Sequence, residues 1–193
     1  MSAGDWRCFV AIPIGDDLRG DLAAAVERWR ALPACAAMKW IEPDAWHLTL
    51  AFLGDVLPDR VPGLIGSLAD AVEQAEVPPA RSTGGVGAFP TAARARVAWY
   101  GVDDDGAHLA RLAAAVRRRL GLPFDGGPFR PHITLARTRS PHGDDLRPWI
   151  RVADAPTGRL DLRTIHLMRS HLGRGPARYE SLGSVALTSA AHA

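Results

Sequence analysis

Apolar positions along this chain switch between two periods, and the switches divide it into elements. The run RCFVAIPI, residues 7–14, is almost continuously apolar and reads as a buried strand ending near Pro13 and Gly15. In the following DDLRGDLAAAVERWRAL, Leu18, Leu22, Val26 and Trp29 recur at helical spacing, with Asp16 or Asp17 placed to cap the helix. MKWIEPDAWHLTLAFLG predicts a short strand, a Pro-Asp turn and a longer strand halted at Gly54. LPDRVPGLIGSLADAVEQA predicts a second helix with Pro58 near its start, closed by Pro78 and Pro79.

The second half repeats the plan. VGAFPTAARARVAWYGV reads as strand, turn around Pro90, strand. GAHLARLAAAVRRRLGL places Leu109, Leu112, Val116 and Leu120 on one helical face, with Gly121 as the stop. FRPHITLAR predicts a strand, SPHGDDLRPW a loop, TGRLDLRTIHLMRS one further strand, and YESLGSVALTS the last.

One pattern occurs in both halves. HLTLA begins at His47 and HITLA at His132, 85 residues apart, each after a predicted helix. Among seven histidines these are the two with Thr two positions on. Residues two apart in a strand share a face, so His47 joins Thr49 and His132 joins Thr134, while Leu48 and Ile133 turn toward the core. Two similar lobes facing each other would put two imidazoles and two hydroxyls into one cleft. That set suits phosphodiester hydrolysis. One imidazole takes a proton from water and the other gives one to the leaving alkoxide, while the hydroxyls hold the non-bridging oxygens. No metal is required.

Composition adds bounds. The 193 residues suffice for one sizeable domain or two small lobes sharing a core. Net charge is only +2, which gives no indication of nucleic-acid binding by itself. Lys39 is the single lysine, so the cations are nearly all arginine, whose planar fork suits phosphate. Cys8 and Cys35 lack a CxxC spacing and read as reduced thiols. The N-terminus has no signal-peptide layout and no stretch approaches a membrane span, so a soluble cytoplasmic protein is expected.

His47-Leu48-Thr49-Leu50 and His132-Ile133-Thr134-Leu135 resemble the two signatures of the 2H phosphoesterase superfamily, and within it the RNA 2′,3′-cyclic phosphodiesterases, also called 2′–5′ RNA ligase-like (LigT-like) proteins. RCFVAIPI, VGAFPTAARARVAWYGV and the terminal SHLGRGPARYESL resemble further blocks in order, so the likeness covers almost the whole chain. The resemblance implies an α+β fold. It is bilobal and duplicated, with two antiparallel sheets flanked by helices and a central cleft, making residues 1–193 one domain of two pseudo-symmetric lobes. It implies hydrolysis of RNA ends or nucleoside 2′,3′-cyclic phosphates to 2′-phosphomonoesters. No cofactor or metal is expected, and nothing in the sequence requires more than a monomer. The resemblance makes His47 and His132 the acid–base pair and Thr49 and Thr134 phosphate ligands. Arg137, five residues after His132, becomes a phosphate contact; Phe52, at the same offset from His47, a base-stacking residue. The sequence itself leaves open which histidine is the acid; the resemblance favours His47 as acid and His132 as base. Trp40 and Tyr179 match family positions but suit packing equally.

Other groups carry weaker signals. His108, His142, His166, His171 and His192 lack the motif. Arg117-Arg118-Arg119 reads as a solvated helix face. Arg94 and Arg96 lie where RNA phosphates beyond the scissile one could touch them. Gly84-Gly85-Val86-Gly87 lacks the Lys-Ser/Thr of a phosphate loop. Asp103-Asp104-Asp105 reads as a turn at a helix N-terminus. The competing functions are 2′–5′ RNA ligation, 2′–5′ phosphodiesterase activity, and a non-catalytic RNA-binding module, the last disfavoured by the intact His and Thr pairs. A histidine metallohydrolase lacks a closely spaced second ligand.

Overall fold

Alternating buried positions in the strands and apolar stripes on the helices set the architecture. A computed structural model describes residues 4–73, 75, 77–78, 80–123, 127–171 and 177–187. In chain order the elements are β1 (Trp6–Pro13), α1 (Asp16–Arg30), β2 (Met38–Trp40), β3 (His47–Val56), α2 (Val61–Glu73), β4 (Ala80–Phe89), β5 (Val97–Val102), α3 (His108–Arg119), β6 (His132–Thr138), α4 (Arg147–Val152), β7 (Gly158–Asp161), β8 (Thr164–His171) and β9 (Arg178–Ala186). The α+β expectation holds. Pro79, His192, the tail from Thr188 and residues 172–176 of the terminal block lie outside the described residues.

The two sheets expected are one. Nine strands join in the order β7-β4-β5-β6-β3-β1-β8-β9, with β2 added on β6. β3 and β6 meet at a single register pair, Leu48 opposite Ile133. Four strands of the order lie on each side of that seam. The sheet must curve strongly. β7 and β8 stand six strand spacings apart in the order, roughly 29 Å if flat. Yet only Leu162 and Arg163 connect them, a step of at most about 11 Å.

Cys8, Val10 and Ile12 of β1, Leu48, Leu50 and Ala51 of β3, Tyr100 of β5 and Ile133, Leu135 and Ala136 of β6 enter one core. Leu18, Leu22, Val26 and Trp29 of α1 and Leu109, Leu112 and Val116 of α3 pack into it. Burying each of these leucines stabilises by roughly 1.5–3 kcal/mol. Cys8 and Cys35 are free and buried, as the sequence suggested.

Four local expectations change. The N-cap of α1 is Gly15, with no side-chain cap; Asp16 and Asp17 sit in the first turn, where their charge favours the helix dipole. β3 does not halt at Gly54 but passes through it at φ +74°, a conformation open to glycine, and runs to Val56. The segment 157–170 is two strands, because its buried positions change parity between Leu162 and Ile165. The loop after Ser140 ends in α4, whose Trp149 meets Trp29 edge-on at 5.7 Å. Among the described residues no helix is long and apolar enough to cross a membrane.

Candidate active site

Each motif histidine is the first residue of its strand. His47 opens β3 after the turn Pro43–Ala45, and His132 opens β6 after Pro131. In each ring Nδ1 lies within hydrogen-bond distance of the carbonyl two residues back, Ala45 at 2.8 Å and Arg130 at 2.6 Å. A carbonyl only accepts, so Nδ1–H donates, and Nε2 of each neutral ring keeps its lone pair. Continuing the Leu48–Ile133 register one residue each way sets His47 across from Thr134 and Thr49 across from His132. The four groups form a square in which imidazole and hydroxyl alternate.

Alternation alone turns Phe52 and Arg137 away from these histidines, since an offset of five changes face. Two matching irregularities restore them. Opposite β1, the register of β3 jumps from Thr49 to Ala51, and opposite β5 that of β6 jumps from Thr134 to Ala136. Leu50 and Leu135 are the extra residues of two β-bulges. The shared Leu-Ala of HLTLA and HITLA is thus a pair of consecutive buried residues in each half. Beyond it, Phe52 rejoins the face of Phe9, and Arg137 that of Val97. Phe52 is 69% exposed, with its ring 6.2 Å from Phe9.

Aromatic rings back both imidazoles. His47 lies 4.8 Å from Phe9 and meets Tyr179 edge-on at 5.1 Å. His132 meets Phe89 edge-on at 4.9 Å and lies 6.4 Å from Trp99. Space for Trp99 comes from Gly87, where a Cβ would fall 2.1 Å from the indole. This surrounding has an electrostatic result. Burial pushes His47 down to about 4, the Ala45 carbonyl opposing and the charge of His132 adding to the fall. Burial also lowers His132, against the Arg130 carbonyl and with Arg137 adding to the drop. Near neutral pH both rings are uncharged, so an incoming anion meets no standing imidazolium.

The structure therefore brings His47, His132, Thr49 and Thr134 together and turns Phe52 and Arg137 to their face. Sequence reasoning passed over Phe9, Phe89 and Trp99 and left Tyr179 undecided. Their signal was parity: Phe9 and Trp99 are out of phase with the core residues Cys8, Val10, Ala98 and Tyr100. Trp40 packs against the core with Arg30 over its ring at 6.0 Å.

The remaining candidates do structural work. The Asp104 carboxylate accepts from the N–H groups of Leu109 and Ala110 at 2.8 and 2.9 Å, capping α3, and pairs with Arg81. Arg119 pairs with Asp70, and Arg117 reaches the Pro123 carbonyl. His171 bonds Glu180 at 2.9 Å, His166 contacts Thr164 and Ser181, and His108 contacts Arg111. His142 is exposed in its turn.

A family model described as the 2′-5′ RNA ligase superfamily matches residues 18–174. The chain is 30% identical over 174 residues to the RNA 2′,3′-cyclic phosphodiesterase of Archaeoglobus fulgidus, covering 88% of this chain and 94% of that one. It is 32% identical over 187 residues to the protein of that name from Escherichia coli (strain K12), covering 94% and 97%. To the Geobacillus stearothermophilus protein of the same name it is 28% identical over 186 residues, 94% of this chain but 57% of that longer one. Among solved structures, E. coli LigT complexed with 3′-AMP matches at TM-score 0.72 and 27% identity over 96% of this chain and 99% of that one. TT0787 of Thermus thermophilus matches at 0.69 and 26%, over 96% and 100%. With the family model spanning most of its length, and the paired His-x-Thr strands at its centre, the chain belongs to the 2′-5′ RNA ligase superfamily.

Proposed function

We propose that this chain hydrolyses 2′,3′-cyclic phosphate ends of RNA to 2′-phosphomonoesters by metal-independent acid–base catalysis between His47 and His132. The observation that carries the reading is the matched pair of imidazoles, each tied through Nδ1 to a backbone carbonyl with Nε2 left for proton transfer, across the β3–β6 seam. The strand order, four strands on either side of that seam, supports one domain of two pseudo-symmetric lobes with the site between them.

In this reading Thr49, Thr134 and Arg137 hold the non-bridging oxygens, and Phe52 stacks on the base. His132 Nε2 takes a proton from water as its oxygen bonds to phosphorus. The bond from phosphorus to the 3′ oxygen breaks, and His47 Nε2–H gives that oxygen its proton. The 2′ ester bond survives. The negative phosphodiester supplies what the free site lacks, a charge that favours imidazolium. The names of the relatives from A. fulgidus and E. coli support the same substrate class.

The test is incubation of the purified protein, in EDTA, with an oligoribonucleotide ending in a 2′,3′-cyclic phosphate. The expected product is the 2′-phosphate at an undiminished rate. No turnover, or a 3′-phosphate product, would overturn the reading. His47→Ala and His132→Ala should each cost roughly 10²-fold or more, the scale of a positioned proton-transfer group. A good leaving group at the 3′ position should rescue the His47 variant and not the His132 variant.

A further inference from the structure

Beside the paired histidines lies a cavity of about 590 Å³ that the proposed chemistry does not use, lined by Phe89, Pro90, Arg96, Val97 and the residues from Arg137 to Pro141. It adjoins the site through two shared residues: Phe89, whose ring meets His132, and Arg137. Its lining holds three arginines, Arg96, Arg137 and Arg139, and no carboxylate. Lys39 on β2 stands directly opposite Arg137 on β6, adding a fourth cation at its edge. Among the described residues none of these four cations forms an ion pair or side-chain hydrogen bond. Like charges directly opposite on neighbouring strands repel, so the Lys39–Arg137 pair is unfavourable alone and becomes favourable beside an anion.

We infer that this groove holds the RNA strand immediately 5′ of the cyclic end. The inference rests on the proposed function and assigns the residues that hold the strand beyond the cyclic end. A cyclic phosphate occupies both the 2′ and 3′ oxygens of the terminal ribose, so the polymer can leave only through the 5′ oxygen. A longer substrate therefore passes to one side of the His/Thr square, and the cationic groove adjoining it through Phe89 and Arg137 offers it a path. Arg96 and Arg139 hold successive phosphates, while Phe89 and Pro90 offer a flat apolar wall to a base. Such a groove reads backbone charge and stacking rather than base sequence.

The test compares a nucleoside 2′,3′-cyclic phosphate with a tetranucleotide carrying the same end, in the wild type and in Arg96→Ala/Arg139→Ala. Both residues are exposed, so the fold should survive; the melting curve checks it. The wild type should prefer the tetranucleotide in kcat/KM by about tenfold or more. The double variant should keep mononucleotide turnover within about twofold and lose most of that preference. For single strands each neutralised phosphate contributes about −0.7 to the slope of log affinity against log salt. Fluorescence anisotropy with a 3′-phosphorylated tetranucleotide should therefore give a slope about 1.4 shallower in the variant. Arg118→Ala/Arg159→Ala, on surfaces away from the groove, should change neither quantity. An unchanged preference and slope in the groove variant, or an equal loss in the control, would overturn the inference. Should the wild type hydrolyse neither substrate, the hydrolase reading fails by itself. The anisotropy arm then still decides the groove, with equal binding by wild type and groove variant counting against it.

Discussion

His47 and His132 sit where their ordinary pKa is no guide to their charge. Each ring is backed by two aromatic rings, and burial lowers both, His47 to about 4. In the proposed mechanism the competent free form has one ring neutral and one protonated, and the two titrate as a pair. kcat/KM reports the free protein, so its bell should have its maximum on the acid side of 6.5. kcat reports the complex, in which bound phosphate favours imidazolium, so its falling limb should lie at higher pH. Stopped-time assays from pH 4 to 9 measure both, and a kcat/KM that climbs steadily past pH 8 would rule this out. A second residue-scale expectation concerns Gly87. A methyl group there would fall 2.1 Å from the Trp99 ring, which would have to leave its place behind His132. Gly87→Ala should therefore lower kcat, roughly tenfold or more for a misplaced acid–base group. Indole fluorescence should shift with it, and unchanged kinetics would mean His132 does not depend on that support.

Two of the strands carry the site, and each does so through an irregularity. The bulges at Leu50 and Leu135 spend two consecutive residues on the core, and so keep Phe52 and Arg137 on the face of the histidines. Inserting one alanine between Ala136 and Arg137 would move Arg137 one register position along β6, from opposite Val97 to opposite Arg96, and turn it to the other face. A misplacement of even 1 Å can cost about 10²-fold in rate, so the insertion should lose at least that much activity while cooperative melting persists. Full activity would show that this register does not place Arg137. The bulges also mark the limit of what could be read in advance. The helices were legible because Leu18, Leu22, Val26 and Trp29, or Leu109, Leu112 and Val116, recur at one period. The His-Thr pairs were legible because i and i+2 share a face in any strand. The reach of Phe52 and Arg137 was not derivable from alternation, which points them inward; it came only from family resemblance. The β7/β8 break shows in the sequence only as the parity change from Leu162 to Ile165. The single sheet was beyond local reasoning, since it hangs on one contact, Leu48 with Ile133, between residues 85 apart. Phe9, Phe89 and Tyr179 reach the histidines through neighbouring strands for the same reason.

At the scale of the whole molecule, burial of the histidines ties the site to the stability of the fold. The curved sheet packs one face on the core, and the histidine rings at the seam lie on its other face, buried among aromatic rings. The folded pKa of His47 is about 4 against about 6.5 in an unfolded chain. Between these values the unfolded state binds more protons than the folded one, so stability rises with pH across the window. Above pH 6.5 His47 contributes no dependence. As pH falls from 6.5 to 4 it removes stability, up to about 3 kcal/mol, and below 4 the loss is complete. His132, lowered in the same direction, adds to the slope. For a chain of this size 1 kcal/mol corresponds to roughly 2–4 °C in Tm, so the His47 contribution is about 6–12 °C between pH 7 and pH 4. His47→Gln removes the titrating group and leaves other acid-sensitive groups in place. It also loses ring packing against Phe9 and Tyr179, a cost that does not vary with pH. The variant should therefore melt below the wild type at pH 7, and the gap should narrow or reverse as the pH approaches 4. Parallel Tm curves for the two proteins across that window would mean that His47 titrates as an exposed imidazole, and the acid-shifted rate profile would fall with it.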